Sequence, residues 1–362
     1  GVATAGIWSE ITQATNNAAI NVISNGNIYV DAGGTHGIFA GTAGKGAVTV
    51  TALSAKTIDP ADYGIEAKGA GGNVQIDTTD EVIADLTGLK ATTSGAGTVK
   101  VYVKANTGVG ITGTATNGIE AATTGTGNVS VGDAGNRIVG DILGGTNGIT
   151  ATGLGNVEVW TGAVTVDGTA ALGINATSTS GVANATANTV VVNTLGTTIT
   201  GGTVGINAKN TGLDVTDTVT VTLGAGTTVN GNGGDGVHAE GVNGVVSVDT
   251  KGTINSANGD GVDASTSGTG DVHVNGTAAI NVTAGLGDGI VVTSTDGNLF
   301  VGDTGGGYSG PIDTAGGNGI KAYITNTKST GNIAVTTSAT GTITGDADNG
   351  IYAKTEGLGD VA

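Results

Sequence analysis

Asn117-Gly118-Ile119-Glu120-Ala121-Ala122-Thr123-Thr124-Gly125-Thr126-Gly127-Asn128-Val129-Ser130-Val131 reads as two short strands joined by a glycine turn. Side chains alternate along an extended chain, so Ile119 and Ala121 share one side, as do Val129 and Val131. Glu120 and Ser130 fall on the opposite side. Gly125-Thr126-Gly127 punctuates the two apolar runs in the manner of a tight turn.

Working outward, the first of these elements recurs along the whole chain: Gly, an aliphatic, a variable residue, then usually Ala. Its glycines are Gly6, Gly37, Gly64, Gly88, Gly118, Gly148, Gly173, Gly205, Gly236, Gly261, Gly289, Gly319 and Gly350, spaced by roughly 29 residues, a period characteristic of solenoids. The second element recurs as Gly72-Asn73-Val74-Gln75-Ile76, Gly97-Thr98-Val99-Lys100-Val101, Gly270-Asp271-Val272-His273-Val274 and Gly331-Asn332-Ile333-Ala334-Val335. A weaker third element resembles Gly252-Thr253-Ile254 and Gly341-Thr342-Ile343. Three short strands per period predict an all-β chain, a right-handed parallel β-helix of about 13 coils with roughly 29 residues in each. Residues 1–362 are expected to form a single β-helix segment of a longer solenoid. Gly350-Ile351-Tyr352-Ala353 begins a further coil, so the solenoid is expected to be open at its C-terminal end.

What varies identifies the outward face. Between the aliphatic and the Ala stand Trp8, Phe39, Glu66, Lys90, Glu120, Thr150, Asn175, Asn207, His238, Asp263, Val291, Lys321 and Tyr352. This mostly polar scatter marks a position facing water, while its two neighbours face a core. Stacking brings Glu66, Lys90 and Glu120 one strand spacing apart, and a ladder of alternating charge is expected there. The residue before the motif glycine is often Asx, as in Asn117, Asn147, Asp235, Asp260, Asp288, Asn318 and Asn349. Asx-Gly pairs predict a corner with left-handed backbone.

Composition agrees with a narrow core. The 362 residues include 71 Gly but 2 Trp, 2 Phe and 2 Pro, and Val, Ile and Ala are left to fill the interior. The formal charge of −18, from 30 acids against 12 Lys and Arg, argues against nucleic acid, because phosphate binding needs clustered cations. Without cysteine there is neither a disulfide framework nor a thiolate metal site.

Chemistry-bearing motifs are sparse. Gly-x-Gly-x-x-Gly matches carry no weight in so glycine-rich a chain without a strand-to-helix context. The nearest carboxylate pairs, Asp346 with Asp348 and Asp214 with Asp217, lack a nearby arginine or aromatic platform, so a glycan-active enzyme is only the lower alternative. His36, His238 and His273 are too far apart for local ligand spacing and read as solvent-facing. Trp8, Phe39, Tyr102, Trp160, Phe300 and Tyr352 read as exposed and isolated aromatics on different coils. No catalytic, cofactor-binding or metal-ligating residue is assigned, and no cofactor is expected.

The cycle of Asx-Gly-Ile-x-Ala, a Gly-Thr-Gly-like turn, Asn-Val-x-Val and Gly-Thr-Ile-x-Gly resembles the passenger regions of Gram-negative autotransporters. The resemblance runs from Gly6 to Ala362 and rests on repeat style. It implies a β-helix carried across the outer membrane by a C-terminal barrel that this sequence does not contain, and commonly used as an adhesin. The expected function is therefore a non-enzymatic extracellular protein at the bacterial cell surface, a passenger shaft and adhesin presenting repeated weak binding surface. Its expected partner is a surface protein or glycan of a host or neighbouring cell. The structural alternative is a subunit that pairs with itself end to end as a filament or layer.

Overall fold

The computed structural model describes residues 5–30, 34–104, 110–179, 187–304 and 306–362. The chain forms two compact units, Gly1–Ala176 and Thr177–Ala362. Among the described residues there is no helix, and both units are built from three parallel sheets wound as a β-solenoid. Together they make about 12 turns of ~29 residues.

In the first unit the motif strands Ala5–Ile11, His36–Thr42, Tyr63–Gly69, Leu89–Thr93, Asn117–Thr123 and Asn147–Gly153 pair in that order as the first sheet. The second sheet includes Val48–Ala52, Val74–Thr78 and Val99–Val103, and the third Thr57–Asp59, Glu81–Ala84 and Gly110–Gly113. The second unit repeats the plan, with Ile206–Asn210, Val237–Gly241, Val262–Thr266, Ile290–Ser294, Ile320–Ile324 and Ile351–Thr355 in its first sheet. That last strand opens a turn beyond the complete ones, which is why thirteen motif glycines accompany about 12 turns.

The inner columns follow the alternation read from sequence. Leu89 lies in register with Ile65 on one side and Ile119 on the other, and all three are 0% exposed. Ala67, Ala91 and Ala121 form the adjoining column, also fully buried. Each buried aliphatic contributes about 1.5–3 kcal/mol, realised only when neighbouring turns cover it.

The motif glycine has a different cause from the one expected. Left-handed backbone among the described residues falls at Ala55 and at glycines such as Gly132, Gly226, Gly285 and Gly302, not at the motif positions. The Asx-Gly pairs are thus not left-handed corners: Asn117-Gly118 and Asn147-Gly148 open strands, and the other five immediately precede one. A Cβ on Gly37 would stand 2.3 Å from Ile58 Cγ2, and one on Gly236 would stand 2.3 Å from Ile254 Cγ2. The same third-strand aliphatic occupies this space at Gly64 (Val82), Gly88 (Ile111), Gly118 (Ile142), Gly261 (Ile280) and Gly289 (Ile312). At these positions glycine is therefore the hole into which the third strand inserts its branched methyl.

The Asx residues instead form a ladder between turns. In the second unit Asp235 Oδ1 accepts the Asp260 N–H at 2.8 Å, Asp260 Oδ1 accepts the Asp288 N–H at 2.7 Å, and Asp288 Oδ1 accepts the Asn318 N–H at 2.6 Å. Each carboxylate or amide thus holds the backbone of the next turn. On the third sheet Asn281 Nδ2 donates to Asn255 Oδ1 at 2.9 Å, and Asn255 Nδ2 to Asn230 Oδ1 at 2.8 Å.

Gly127-Asn128-Val129-Ser130-Val131-Gly132-Asp133 resembles Gly297-Asn298-Leu299-Phe300-Val301-Gly302-Asp303 in sequence, and the two stretches share a local structure. Gly132 and Gly302 take φ of 69° and 71°, and the segments after them make parallel bridges, Ile138 to Thr161 and Tyr308 to Thr337. Tyr308 is 1% exposed and donates its hydroxyl to the Ala278 carbonyl at 3.0 Å.

Candidate functional site

The outward face of the first sheet carries a different chemistry in each unit. In the first unit Trp8 and Phe39 occupy the variable position of the motif and are paired in register. Their rings stack at 4.1 Å between centroids, with 24° between planes. His36 and Tyr63 take the place that is often Asx, directly before Gly37 and Gly64, and stack at 5.1 Å. His36 also meets Trp8 edge-on at 5.7 Å and Phe39 at 5.2 Å, so two columns merge into one aromatic patch. Lys90 Nζ lies over the Tyr63 ring, 5.1 Å from its centroid.

Carboxylates border the patch. Trp8 Nε1 donates to Glu10 Oε2 at 3.2 Å, and His36 Nε2 is 2.7 Å from Glu66 Oε2. Burial alone would raise Glu66, but the hydrogen bond and charge of His36, with Lys90 and Lys68 beyond, hold its carboxyl below the usual value. The expected charge ladder is present only in part. Glu66, Lys90 and Glu120 are in register, and Lys90 pairs with Glu120 at 3.9 Å while Glu66 turns toward His36.

Beside the aromatic patch runs an open groove of about 430 Å³, with Phe39, Glu10, Lys68, Thr92, Ser94 and Thr124 among its lining residues. Gly41 shapes it: a Cβ there would meet the Phe39 ring at 2.7 Å, so glycine lets that ring lie across its own strand. The groove thus joins an aromatic wall to hydroxyls, a carboxylate and an ammonium. Such a surface can stack on the apolar face of a ring and hydrogen-bond its substituents.

The reading of isolated aromatics is corrected at two places. Trp8 and Phe39 belong to this cluster, and Phe300 stacks on His273 at 4.7 Å in the second unit. Tyr102, expected outside, is 7% exposed and donates to Asp133 Oδ2 at 2.8 Å. Burial, then the Asp133 hydrogen bond, raise its hydroxyl well above the ordinary tyrosine value.

None of the three histidines is freely solvent-facing. His36 is buried, and His273 Nδ1 lies 2.7 Å from Asp303 Oδ2. His238 sits among carboxylates: Nδ1 is 3.0 Å from Asp263 Oδ2 and 3.5 Å from Asp235 Oδ2, and Nε2 is 3.6 Å from Glu240 Oε2. Hydrogen bonds to Asp235 and Asp263 push its pKa up to about 10 despite partial burial. Burial, reinforced by Asp235, Asp263 and Asp288, pushes Asp260 up to about 7 against the Asp288 N–H.

Of the carboxylate pairs weighed from sequence, Asp217 is a turn staple. Its Oδ1 accepts the Asn188 N–H at 2.7 Å and its Oδ2 the Asp214 N–H at 3.0 Å. Asp214 is half-buried and accepts from Thr216, whose N–H and hydroxyl hold its carboxyl below the usual range. Asp348 accepts from Asn349 Nδ2 at 3.2 Å and borders a shallow cleft with Lys321, Tyr323, Tyr352 and Lys354. Models of known protein families, curated proteins and solved structures all give no match to this chain.

Proposed function

We propose that this chain is a non-enzymatic extracellular protein, a passenger-type shaft at a bacterial cell surface that adheres through its outward side chains. One observation carries the reading: the stacked Trp8–Phe39 pair beside the polar groove, held on a scaffold whose inner columns hardly vary. Trp8 remains 48% exposed although stacked, and an exposed aromatic cluster with a polar rim is a common contact surface. The autotransporter-like repeat supports the same reading through its Asx-Gly-Ile-x-Ala and Asn-Val-x-Val cycle. Parallel turns give every outward column the same spacing, so weak contacts can add along a partner.

The test is binding without turnover. The purified chain is applied to arrayed glycans and to intact cells, with release of reducing sugar followed in parallel. The expected outcome is retention on a defined set of surfaces without product release, weakened about ten-fold or more by Phe39→Ala, a loss of at least ~1.4 kcal/mol. Release of sugar fragments, abolished by Asp348→Asn, would establish an enzyme in place of an adhesin.

A further inference from the structure

We propose that Asp235, His238 and Asp263 form a binding site for a zinc-class divalent metal ion on the outward face of the second unit. Two of the side chains come from adjacent strands and the third from the segment just before the first of them. His238 and Asp263 face each other in parallel register, and Asp235 precedes His238 by three residues. One ligand atom from each lies within 4.8 Å of the others.

The spacing fits a small ion. A tetrahedral site with metal–ligand bonds of about 2.0–2.1 Å separates its ligand atoms by about 3.3 Å. The separations from His238 Nδ1 to the two Oδ2 atoms are 3.0 and 3.5 Å. Both carboxylates approach the same ring nitrogen, so one ion can take all three atoms and keep an open position.

The surroundings orient these ligands. Asp235 Oδ1 is held by the Asp260 N–H at 2.8 Å, and its Oδ2 is the oxygen facing the imidazole. On the other side of the ring, Nε2 lies 3.6 Å from Glu240 Oε2, and Glu240 is anchored by Lys209 Nζ at 2.6 Å. A carboxylate on the far nitrogen of a ligating histidine is a recurrent outer support of metal sites, since it fixes the ring and makes it a stronger ligand. Here that support is independent of the three ligands, on a strand residue braced by the preceding turn.

Ligand chemistry selects the class. One imidazole with two carboxylates suits borderline dications such as Zn²⁺, while Mg²⁺ and Ca²⁺ prefer oxygen alone. Charge favours a dication as well. Asp235, Glu240, Asp260, Asp263 and Asp288 gather around His238, Lys209 and Lys321, leaving more acid than base. Among the described residues the other histidines lack this arrangement: His273 pairs with Asp303 and His36 with Glu66.

Isothermal titration calorimetry of the full chain with zinc chloride tests the site, with unfolding temperatures recorded to confirm that each variant folds. The expected result is one equivalent of zinc per chain, weakened about ten-fold or more by His238→Gln and by Asp263→Asn and about ten-fold by Glu240→Gln. His273→Gln should leave binding unchanged. Cobalt(II) should give visible absorption bands that His238→Gln abolishes, a readout independent of stability. Absence of zinc binding by the unaltered chain, or binding that His238→Gln leaves intact, would overturn the proposal.

Discussion

The first sheet of one unit carries Trp8, His36, Phe39 and Tyr63 on its outward side; that of the other carries Asp235, His238, Asp260, Asp263 and Asp288. The backbone positions are equivalent. His36 and Tyr63 stand where Asp235 and Asp260 stand, immediately before a motif glycine. What differs is the way one turn holds the next at these positions, ring on ring at His36 and Tyr63 and carboxylate on backbone N–H at Asp235, Asp260 and Asp288. Because glycine and aliphatic columns already fix turn spacing from inside, the outer columns are free to take up unrelated chemistry.

The largest effect should be common to both units. Gly37→Ala and Gly236→Ala each place a methyl 2.3 Å from a buried isoleucine Cγ2, and each should destabilise its unit by about 3 kcal/mol through overpacking. Gly26, with nothing within 4 Å of its Cβ position, should tolerate alanine within about 0.5 kcal/mol. Thermal unfolding of the three variants checks this, and a large difference between the first two would break the equivalence of the inner columns.

A smaller effect should separate the outer columns. Asp288→Ala leaves the Asn318 N–H and Nδ2, now bonded at 2.6 and 2.8 Å, without their carboxylate. A loss of about 1–3 kcal/mol is expected in denaturant titration. Phe39→Ala removes a stack at 4.1 Å, worth about 0.5–1.5 kcal/mol beyond area burial, and should red-shift Trp8 emission.

The smallest effect is a pH dependence at Glu66 in the first unit. Glu66 is held below its ordinary value in the folded chain, so the unfolded chain binds the extra proton as pH falls. The associated stability is present above the unfolded carboxylate pKa and lost as pH drops through the folded one. Glu66→Gln should flatten the decline of unfolding temperature with acidification across that window; an unchanged slope would remove the His36–Glu66 clasp from the account.

How much of this was legible in sequence depends on which side of the strand is considered. Ile65, Leu89 and Ile119 were readable as one core column because period-2 alternation inside a 29-residue repeat leaves no other place for them. The motif glycine was readable as a position but not as a cause. Asx-Gly is common turn chemistry, whereas the methyl that needs the space belongs to the third strand, the weakest of the three repeats. Trp8 and Phe39 already shared a column in the aligned motif, yet their stacking depends also on Gly41, which lets the Phe39 ring fold across the strand. Tyr102 misled because alternation places it outside, while Asp133, which accepts from its hydroxyl, lies in the segment after a second-sheet strand and outside the 29-residue motifs. His238 looked solitary because its carboxylates are drawn from two turns and from the Asx position.

Register is the claim on which every column rests, and a chain without cysteine permits a direct measurement of it. Glu120 pairs with Thr150 and Glu240 with Ser265, all outward-facing. Cysteines placed at either pair should form an intrachain disulfide on mild oxidation, since adjacent strands meet the distance a disulfide requires, whereas Glu120→Cys with Thr152→Cys should remain reduced. Cross-linking of the displaced pair in preference to the opposed ones would contradict the stacked solenoid.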